Sequence, residues 1–235
     1  MGHTLAKVPY TTQPRFEAEA NAAIRQLMTL PLEAIAEGLK VKPQLAAENA
    51  RRYAEFFTLE TPQVPALLAY TGIVFQQIGA ADFNTDDFDF AQKHLWITSF
   101  LYGLLRPLDL IKPYRLEGDF RLPHPDSPTR FEYWRPLLTN LLIEATQADD
   151  GILVNLASAE MKRLFDWKRV VNEVKVVTPD FRTIVGDRER NIVVYTKMSR
   201  GQLTRHLLKQ QLNAPEQLAH FEPLIDGAAV VLKLN

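Results

Sequence analysis

The sequence predicts an α+β protein, a single compact domain over residues 1–235 in which a mixed β-sheet is flanked by helices. Three observations predict this fold class. Segments with apolar residues at helical spacing alternate with short runs rich in β-branched and aromatic residues. Hydrophobic residues make up 46% of the chain, which is enough for a sizeable core. No internal repeat or low-complexity linker divides the chain, so one domain is the simplest arrangement.

The amino-terminal part is predicted to be helical. A first helix begins near Pro14, a second runs from Pro31 to Leu39, and a third begins at Pro43. Each carries apolar residues at helical spacing, and proline is favoured in the first turn of a helix.

The short connection between the second and third helices is basic. We therefore expect residues 31–56 to form a helix-turn-helix or helix-hairpin-helix-like element, with Lys40 and Lys42 in its turn. These two lysines and the backbone N–H groups at the start of the third helix could bind a phosphate. An ordinary pair of packed helices is the alternative, because the turn lacks the glycines typical of the motif.

The middle of the chain is predicted to contain two strands and a helix. Val64 to Tyr70 is expected to be a strand, and Thr85 to cap the helix that follows. Leu95 to Tyr102 is then predicted to be a buried strand, because it is a continuous apolar run rich in strand-forming residues. We expect Trp96 and Phe100 to lie in the core.

The carboxyl-terminal half mixes both element types. Thr129 is expected to cap a long helix, and Lys197 to Leu212 to form a helix with basic residues on one side. Four further strands are predicted from apolar and β-branched composition: Ile152 to Asn155, Val170 to Val177, Ile184 to Tyr195, and Ala228 to Leu234.

Charged side chains follow several of these apolar runs. Sites in α/β proteins often form beyond strand ends, so we expect these side chains to line one anion-binding cleft. Guanidinium groups suit phosphate or carboxylate because they donate two parallel hydrogen bonds. The predicted residues for binding DNA or another anion are Lys40, Lys42, Arg106, Arg115, Asn155, Lys197, Arg200, Arg205 and Lys209.

The same cleft contains possible acids and bases. Asp109, Glu117 and Glu160 are candidates for a general acid or base, although the catalytic residue stays unknown. For the first two, a structural network of ion pairs is an equal alternative. For Arg200 and Arg205, the alternative is a solvated helix face. The five histidines show no ligand spacing, so neither a metal nor another cofactor is expected.

Composition excludes several classes of protein. The chain has no cysteine, which excludes disulfides and thiolate nucleophiles. Its net charge is −1, so a nucleic acid would have to bind a local basic patch. The first fifteen residues lack the apolar segment of a signal peptide, and no apolar run is long enough for a membrane helix. We therefore expect a cytoplasmic protein with no membrane partner.

Three blocks of sequence resemble the bacterial YaaA family, the peroxide stress proteins. They are DDFDFAQKHLWITSFLYGLLRPLDLIKPYRLE (residues 86–117), VNLASAE (154–160) and YTKMSRGQLTRHL (195–207), in the order and spacing of the family. The resemblance covers most of the chain. It implies a cytoplasmic protein that limits damage by hydrogen peroxide and is connected to the control of intracellular iron. It also implies a mixed α and β fold with a helix-hairpin-helix element, and DNA binding through a basic cleft.

The chain departs from the family pattern in two places. Family members usually open with an apolar strand and a Ser-Pro-Ala-Lys segment. This sequence starts after that segment, near His3-Thr4-Leu5, so we expect one strand and one possible site lysine to be missing. The basic pair expected near residue 197 is also halved, because Met198 follows Lys197.

Two functions are consistent with these patterns. One is a stress protein that binds duplex DNA non-specifically by its phosphates. The other is an enzyme acting on a small anionic, nucleotide-like substrate in a pocket lined by Arg, Asp and Glu. Carboxylates among arginines and a net charge near zero favour the enzyme, whereas the family resemblance favours DNA binding.

Overall fold

Helices and short strands alternate along the chain in the computed structural model, which describes residues 7–124 and 126–234. Helices account for more of this part of the chain than strands do, and the predicted α+β class is confirmed. The strand and the lysine that we expect to be missing near His3-Thr4-Leu5 fall outside the described residues. The single-domain arrangement stays a prediction.

The elements are numbered in chain order. The helices are α1 (Glu17–Leu27), α2 (Leu32–Leu39), α3 (Pro43–Glu55), α4 (Ala66–Ala69), α5 (Ile73–Ile78), α6 (Thr85–His94), α7 (Arg130–Ala148), α8 (Ala159–Lys162), α9 (Trp167–Glu173) and α10 (Val193–Lys209). The strands are β1 (Val64–Pro65), β2 (Ile97–Ser99), β3 (Gly103–Leu105), β4 (Leu110–Ile111), β5 (Ile152–Val154), β6 (Lys175–Val177), β7 (Pro179–Val185), β8 (Arg188–Arg190) and β9 (Ala229–Leu234).

The strands form several small sheets, whereas the sequence predicts one. Within the described residues, β1 pairs with β4, β2 with β3, and β5 with β6, while β7 lies between β8 and β9. Of these strand pairs, only β5 and β6 run parallel. Most of the strands have two or three residues, and so short a strand offers too few backbone hydrogen bonds to extend a sheet.

Leu95 to Tyr102 is not one buried strand, and that prediction is wrong. The chain turns after β2 and returns as β3, with Gly103 at a φ of +72°. The Ser99 hydroxyl accepts the Tyr102 N–H at 2.8 Å and stabilises the turn. Phe100 is buried as predicted, whereas Trp96 is only half-buried.

Two other predicted strands are strands only in part: Val64 to Tyr70 is mostly helical, whereas Val170 to Val177 starts in a helix and ends in β6. Val64 begins a strand of only two residues, after which α4 starts, since Pro65 cannot donate a backbone hydrogen bond. Val170 lies inside α9, because the Asp166 side chain caps that helix by accepting the Arg169 N–H at 3.2 Å. In the second case the side-chain cap overrides the β-branched composition of the segment.

Helix starts were predicted more accurately. Thr129 caps α7 in a reciprocal capping box with Glu132, as expected. The cap of α6 is Asn84, paired with Asp87, rather than the predicted Thr85.

The region predicted as one strand from Ile184 to Tyr195 contains the end of β7, the short β8 and the start of α10.

Two apolar clusters hold the described residues together. The larger one contains the buried faces of α1, α3 and α7. The smaller one joins Phe181 of β7, Leu203 of α10 and Val230 of β9. No helix in the described ranges is both long and apolar enough to cross a membrane.

Candidate functional site

Four of the predicted site residues meet at one cavity of about 250 Å³. These residues are Lys40, Arg115, Glu117 and Glu160, and Leu39, Gly118 and Asp119 complete the lining. The cavity lies where the turn between α2 and α3, the segment after β4 and the start of α8 converge. Each of these segments was singled out separately in the sequence.

The turn between α2 and α3 is held against the segment after β4. Lys40 adopts the left-handed conformation, with a φ of 54° and a ψ of 46°, which is uncommon for a residue other than glycine. Gly38 allows α2 to approach the Phe120 ring, since a Cβ at Gly38 would lie 2.4 Å from it. This contact places Lys40 beside residues 115–119.

The segment after β4 is fixed by two helices. The Tyr53 hydroxyl of α3 donates to the carbonyl oxygen of Arg115. Gly118 lies so close to Phe131 of α7 that a Cβ would be 2.1 Å from the ring. The backbone of this wall of the cavity is therefore rigidly positioned.

The cavity carries both signs of charge. Arg115 Nη2 lies 2.8 Å from Glu117 Oε1. Asp119 is shared between Lys40 Nζ at 3.7 Å and Arg163 Nη2 at 2.9 Å. Two basic and three acidic side chains line the cavity, so it is not a purely anion-binding site.

The other predicted basic residues are concentrated in a second region. Eight basic and three acidic residues lie between Lys175 and Lys209, so this segment has a net charge of +5 against −1 for the whole chain. Five of the eight form no ion pair with a described residue. Apart from Lys175 of β6, these are Arg188, Arg190, Lys197 and Arg200. The first three are exposed and Arg200 is half-buried. We call these four residues the basic surface.

The β7–β8 hairpin positions two of its arginines. The turn contains Gly186 at a φ of +59°, and the register pairs Thr183 with Arg190 and Val185 with Arg188. Directly opposed residues of antiparallel strands share a face. Thr183 is buried on the same face as Phe181, which packs in one cluster with residues of α10. Arg188 and Arg190 therefore lie on the α10 side of the hairpin.

Burial also affects the guanidinium of Arg200. Burial lowers its pKa, an effect that the negative charge of Asp180 partly offsets. Asp180 itself is bound by Arg182, with Nε and Oδ2 2.7 Å apart. Arg200 is thus a partly desolvated cation, and the acid that interacts with it, Asp180, is already paired with Arg182.

Two predicted basic residues of α10 are used inside the protein instead. Arg205 forms an ion pair with Asp82, with Nη2 and Oδ2 2.6 Å apart. Lys209 Nζ lies 2.7 Å from Asp87 Oδ2, and the Asp87 side chain is buried. The first contact attaches α10 to the segment between α5 and α6, and the second attaches it to α6.

Comparison with known proteins shows the family of the chain. Residues 2–225 match the family model described as "Peroxide stress protein YaaA". The chain belongs to the YaaA family. It is 52% identical over 215 residues to a UPF0246 protein of Bacteroides thetaiotaomicron, which covers 92% of this chain and 84% of the relative. A UPF0246 protein of Bacteroides fragilis is 51% identical over the same shares, and one of Tolumonas auensis is 38% identical over 91% of this chain and 84% of its own.

In this YaaA-family chain, Arg106 and Asp109 lie away from the cavity lining. The Arg106 guanidinium stacks on Trp96 at 3.6 Å, and burial lowers its pKa. Asp109 is 3% exposed and accepts the Arg106 N–H at 2.8 Å and the Thr12 hydroxyl at 2.7 Å. Burial raises the pKa of Asp109. These contacts give both residues local structural roles.

Asn155 and Lys42 are also outside the cavity lining. Asn155 is buried, and its side chain accepts the Ala157 N–H at 3.2 Å and donates to Thr178 at 3.3 Å. It therefore shapes the loop that leads to Glu160. Lys42 is exposed and precedes α3.

Sequence reasoning missed four charged residues of the YaaA-family chain. Arg188 and Arg190 fall within the predicted strand from Ile184 to Tyr195 and were not singled out, although their alternation in a short strand indicates a shared face. Asp119 and Arg163 form an ion pair across 44 positions, and no local pattern predicts that. Among the described residues, no three His, Asp or Glu side chains are grouped closely enough to hold a metal ion.

Proposed function

We propose that this peroxide stress protein binds duplex DNA non-specifically, through phosphates that the basic surface contacts. The observation that supports this proposal is the concentration of charge, with a net +5 between Lys175 and Lys209 in a chain of net −1. Sequence-independent DNA binding comes mainly from neutralised phosphates and released counterions. A local patch is sufficient for this, whatever the charge of the whole protein.

The exposed positions of the basic side chains favour phosphate contacts. Arg188 and Arg190 project from a short hairpin, and Lys197 lies near the start of the helix that follows it. Neither group has to break an internal ion pair to reach a phosphate. Arg205 and Lys209 would have to leave Asp82 and Asp87, so they are weaker candidates.

The α2–α3 pair is a second point of contact in this proposal, as a helix-hairpin-helix-like element. Lys42 is exposed at its turn, and the first turn of α3 has no side-chain cap. Backbone N–H groups and a lysine together suit a phosphate. Lys40, in contrast, lies beside the carboxylate of Asp119, which would repel a phosphate.

Family membership supports the role in peroxide stress. We include a link to the limitation of intracellular iron in the proposal, supported by the family resemblance alone. An enzyme acting on a small anionic substrate is less well supported. Asp109 is held by two hydrogen bonds away from the cavity, and the cavity lining has more acids than bases.

The experiment is a titration of labelled mixed-sequence duplex with the protein at several salt concentrations. The four residues of the basic surface and Lys42 make five phosphate contacts, which predict a slope of about −4.5 in log affinity against log salt. Two duplexes of unrelated sequence should give the same slope. A protein that does not bind duplex even at low salt would overturn the proposal.

A further inference from the structure

We propose that the cavity between Lys40 and Glu160 binds a small zwitterion, a molecule of amino-acid size with one ammonium and one carboxylate group. The proposal concerns a site separate from the basic surface and does not depend on DNA binding. It rests on which of the lining charges are already satisfied inside the protein.

Two of the lining residues, Glu160 and Lys40, carry charges of opposite sign that remain available to a ligand. Glu160 is exposed, and its carboxylate forms no ion pair or side-chain hydrogen bond with another described residue. Lys40 Nζ is 3.7 Å from Asp119, beyond hydrogen-bonding distance, and its side chain is 72% exposed. Asp119 does not depend on Lys40, because Arg163 binds it at 2.9 Å. One acceptor and one donor therefore remain for a ligand.

The other two charged groups neutralise each other. Arg115 donates to Glu117 at 3.0 Å through Nε and lies 2.8 Å from it through Nη2. This paired arrangement gives the cavity a polar wall without net charge. A ligand thus meets one unsatisfied positive group and one unsatisfied negative group.

Ligands with a single sign of charge fit the cavity less well. A phosphate or phosphodiester at Lys40 would also face Asp119 and Glu160, whose carboxylates would repel it. A lone cation at Glu160 would gain nothing from Lys40. A divalent metal requires several converging ligands, and the described residues contain no such group. A zwitterion can pair with both Lys40 and Glu160.

The size of the cavity limits the ligand further. Its volume of about 250 Å³ is below the range of about 300–1,000 Å³ that is typical of sites for drug-sized molecules. A free amino acid fits in that space. Lys40 and Glu160 are held on separate segments, so the distance between the ligand's two charges also matters for binding.

The test uses NMR chemical shifts of the full chain titrated with glycine and L-glutamine. We expect saturable shifts at the amides of Gly118 and Asp119 with at least one of the two amino acids. N-acetyl-L-glutamine lacks the ammonium group and L-glutaminamide lacks the carboxylate. Each should bind at least about tenfold more weakly than L-glutamine, because each loses a hydrogen bond between charged groups.

Two substitutions locate the site. Glu160→Gln should weaken L-glutamine binding by about tenfold, and Lys40→Asn should do the same while keeping the left-handed backbone, which asparagine tolerates. Lys42→Asn is the matched control, because Lys42 is exposed nearby but does not line the cavity. The proposal is overturned if neither amino acid gives saturable shifts. Equal binding of the analogues, or an equal effect of Lys42→Asn, would also overturn it.

Discussion

Arg205 and Asp82 form an ion pair through two hydrogen bonds, with Nη1–Oδ1 at 3.0 Å and Nη2–Oδ2 at 2.6 Å. The same Nη1 donates to the carbonyl oxygens of Ile78 and Gly79 at 2.9 and 3.0 Å. These carbonyls lie at the carboxyl end of α5, where helix carbonyls lack partners within the helix. One arginine of α10 thus caps α5 and attaches the two helices to each other.

Replacing Arg205 should reduce stability. Arg205→Ala leaves the α5 carbonyls and Asp82 without their donor, and we expect a loss of about 1–2 kcal/mol in the free energy of unfolding. Equilibrium unfolding in urea measures it. Arg188→Ala is the control, since Arg188 is exposed and unpaired, and should change stability by less than about 0.5 kcal/mol. Equal effects of the two substitutions would contradict the structural role of Arg205.

The ion pair between Arg205 and Asp82 should also make the stability of the fold depend on pH. The hydrogen bond from Arg205 is the main cause that lowers the pKa of Asp82 from its usual 3.8. A lowered pKa in the folded state means that the contribution is present above the unfolded-state pKa and is lost as pH falls through the folded-state value. We expect the stability difference between wild type and Asp82→Asn to be constant from pH 7 to pH 5 and to shrink below about pH 4. A difference that persists unchanged at pH 2 would contradict this.

Close packing of α10 on α5 depends on Gly201. A Cβ at this position would lie 2.3 Å from the carbonyl oxygen of Val74 and 2.5 Å from the Cβ of Gln77. Because backbone cannot move aside easily, Gly201→Ala should destabilise the protein by about 1–3 kcal/mol. Thermal unfolding measures the effect.

The matched control is Gly72→Ala. Gly72 precedes α5, and a Cβ there would meet no atom within 4 Å. This substitution should leave the melting temperature within a few degrees of wild type, about what 0.5 kcal/mol produces. If Gly201→Ala is as mild as Gly72→Ala, the two helices are not packed as closely as described.

The buried carboxylate of Asp109 should stabilise the folded protein. It is buried and accepts hydrogen bonds from the Arg106 N–H and the Thr12 hydroxyl. Asp109→Ala leaves both donors unsatisfied and should cost about 1–3 kcal/mol. Glu160→Ala, at an exposed carboxylate, should cost less than about 0.5 kcal/mol. An Asp109→Ala variant as stable as wild type would show that these hydrogen bonds contribute little.

The sequence predicts the helices better than the strands because helix signals are local. Thr129 and Glu132 form their capping box within four residues, so a single pattern identifies it. In contrast, the turn after Ser99 depends on Trp134 and Arg130 of α7, which both donate to the carbonyl oxygen of Phe100. No pattern within residues 95–102 contains that information, and the run was predicted as one strand.

The candidate site was predicted in part for the same reason. The blocks around Arg115 and Glu160 each contain polar residues after an apolar run, and the structure brings them together at the cavity. The pairing of Arg205 with Asp82 spans 123 positions. From sequence alone, a basic residue in an internal ion pair cannot be distinguished from one available to a ligand.

The most direct test of the account is the salt dependence of duplex binding by two variants of equal charge. In the first, all four residues of the basic surface become glutamine: Arg188, Arg190, Lys197 and Arg200. In the control, four cations outside it that are exposed and unpaired among the described residues become glutamine: Lys7, Arg15, Lys93 and Lys168. Both variants lose four positive charges, so a difference in their salt dependence shows that the positions of the cations matter.

We predict that the first variant flattens the slope of log affinity against log salt by about 3–4 units, because each phosphate contact contributes about 0.9. The control should keep a slope within about one unit of wild type, since its cations contact no phosphate. An equal change of slope in both variants, or a wild-type slope retained by the first, would contradict the account.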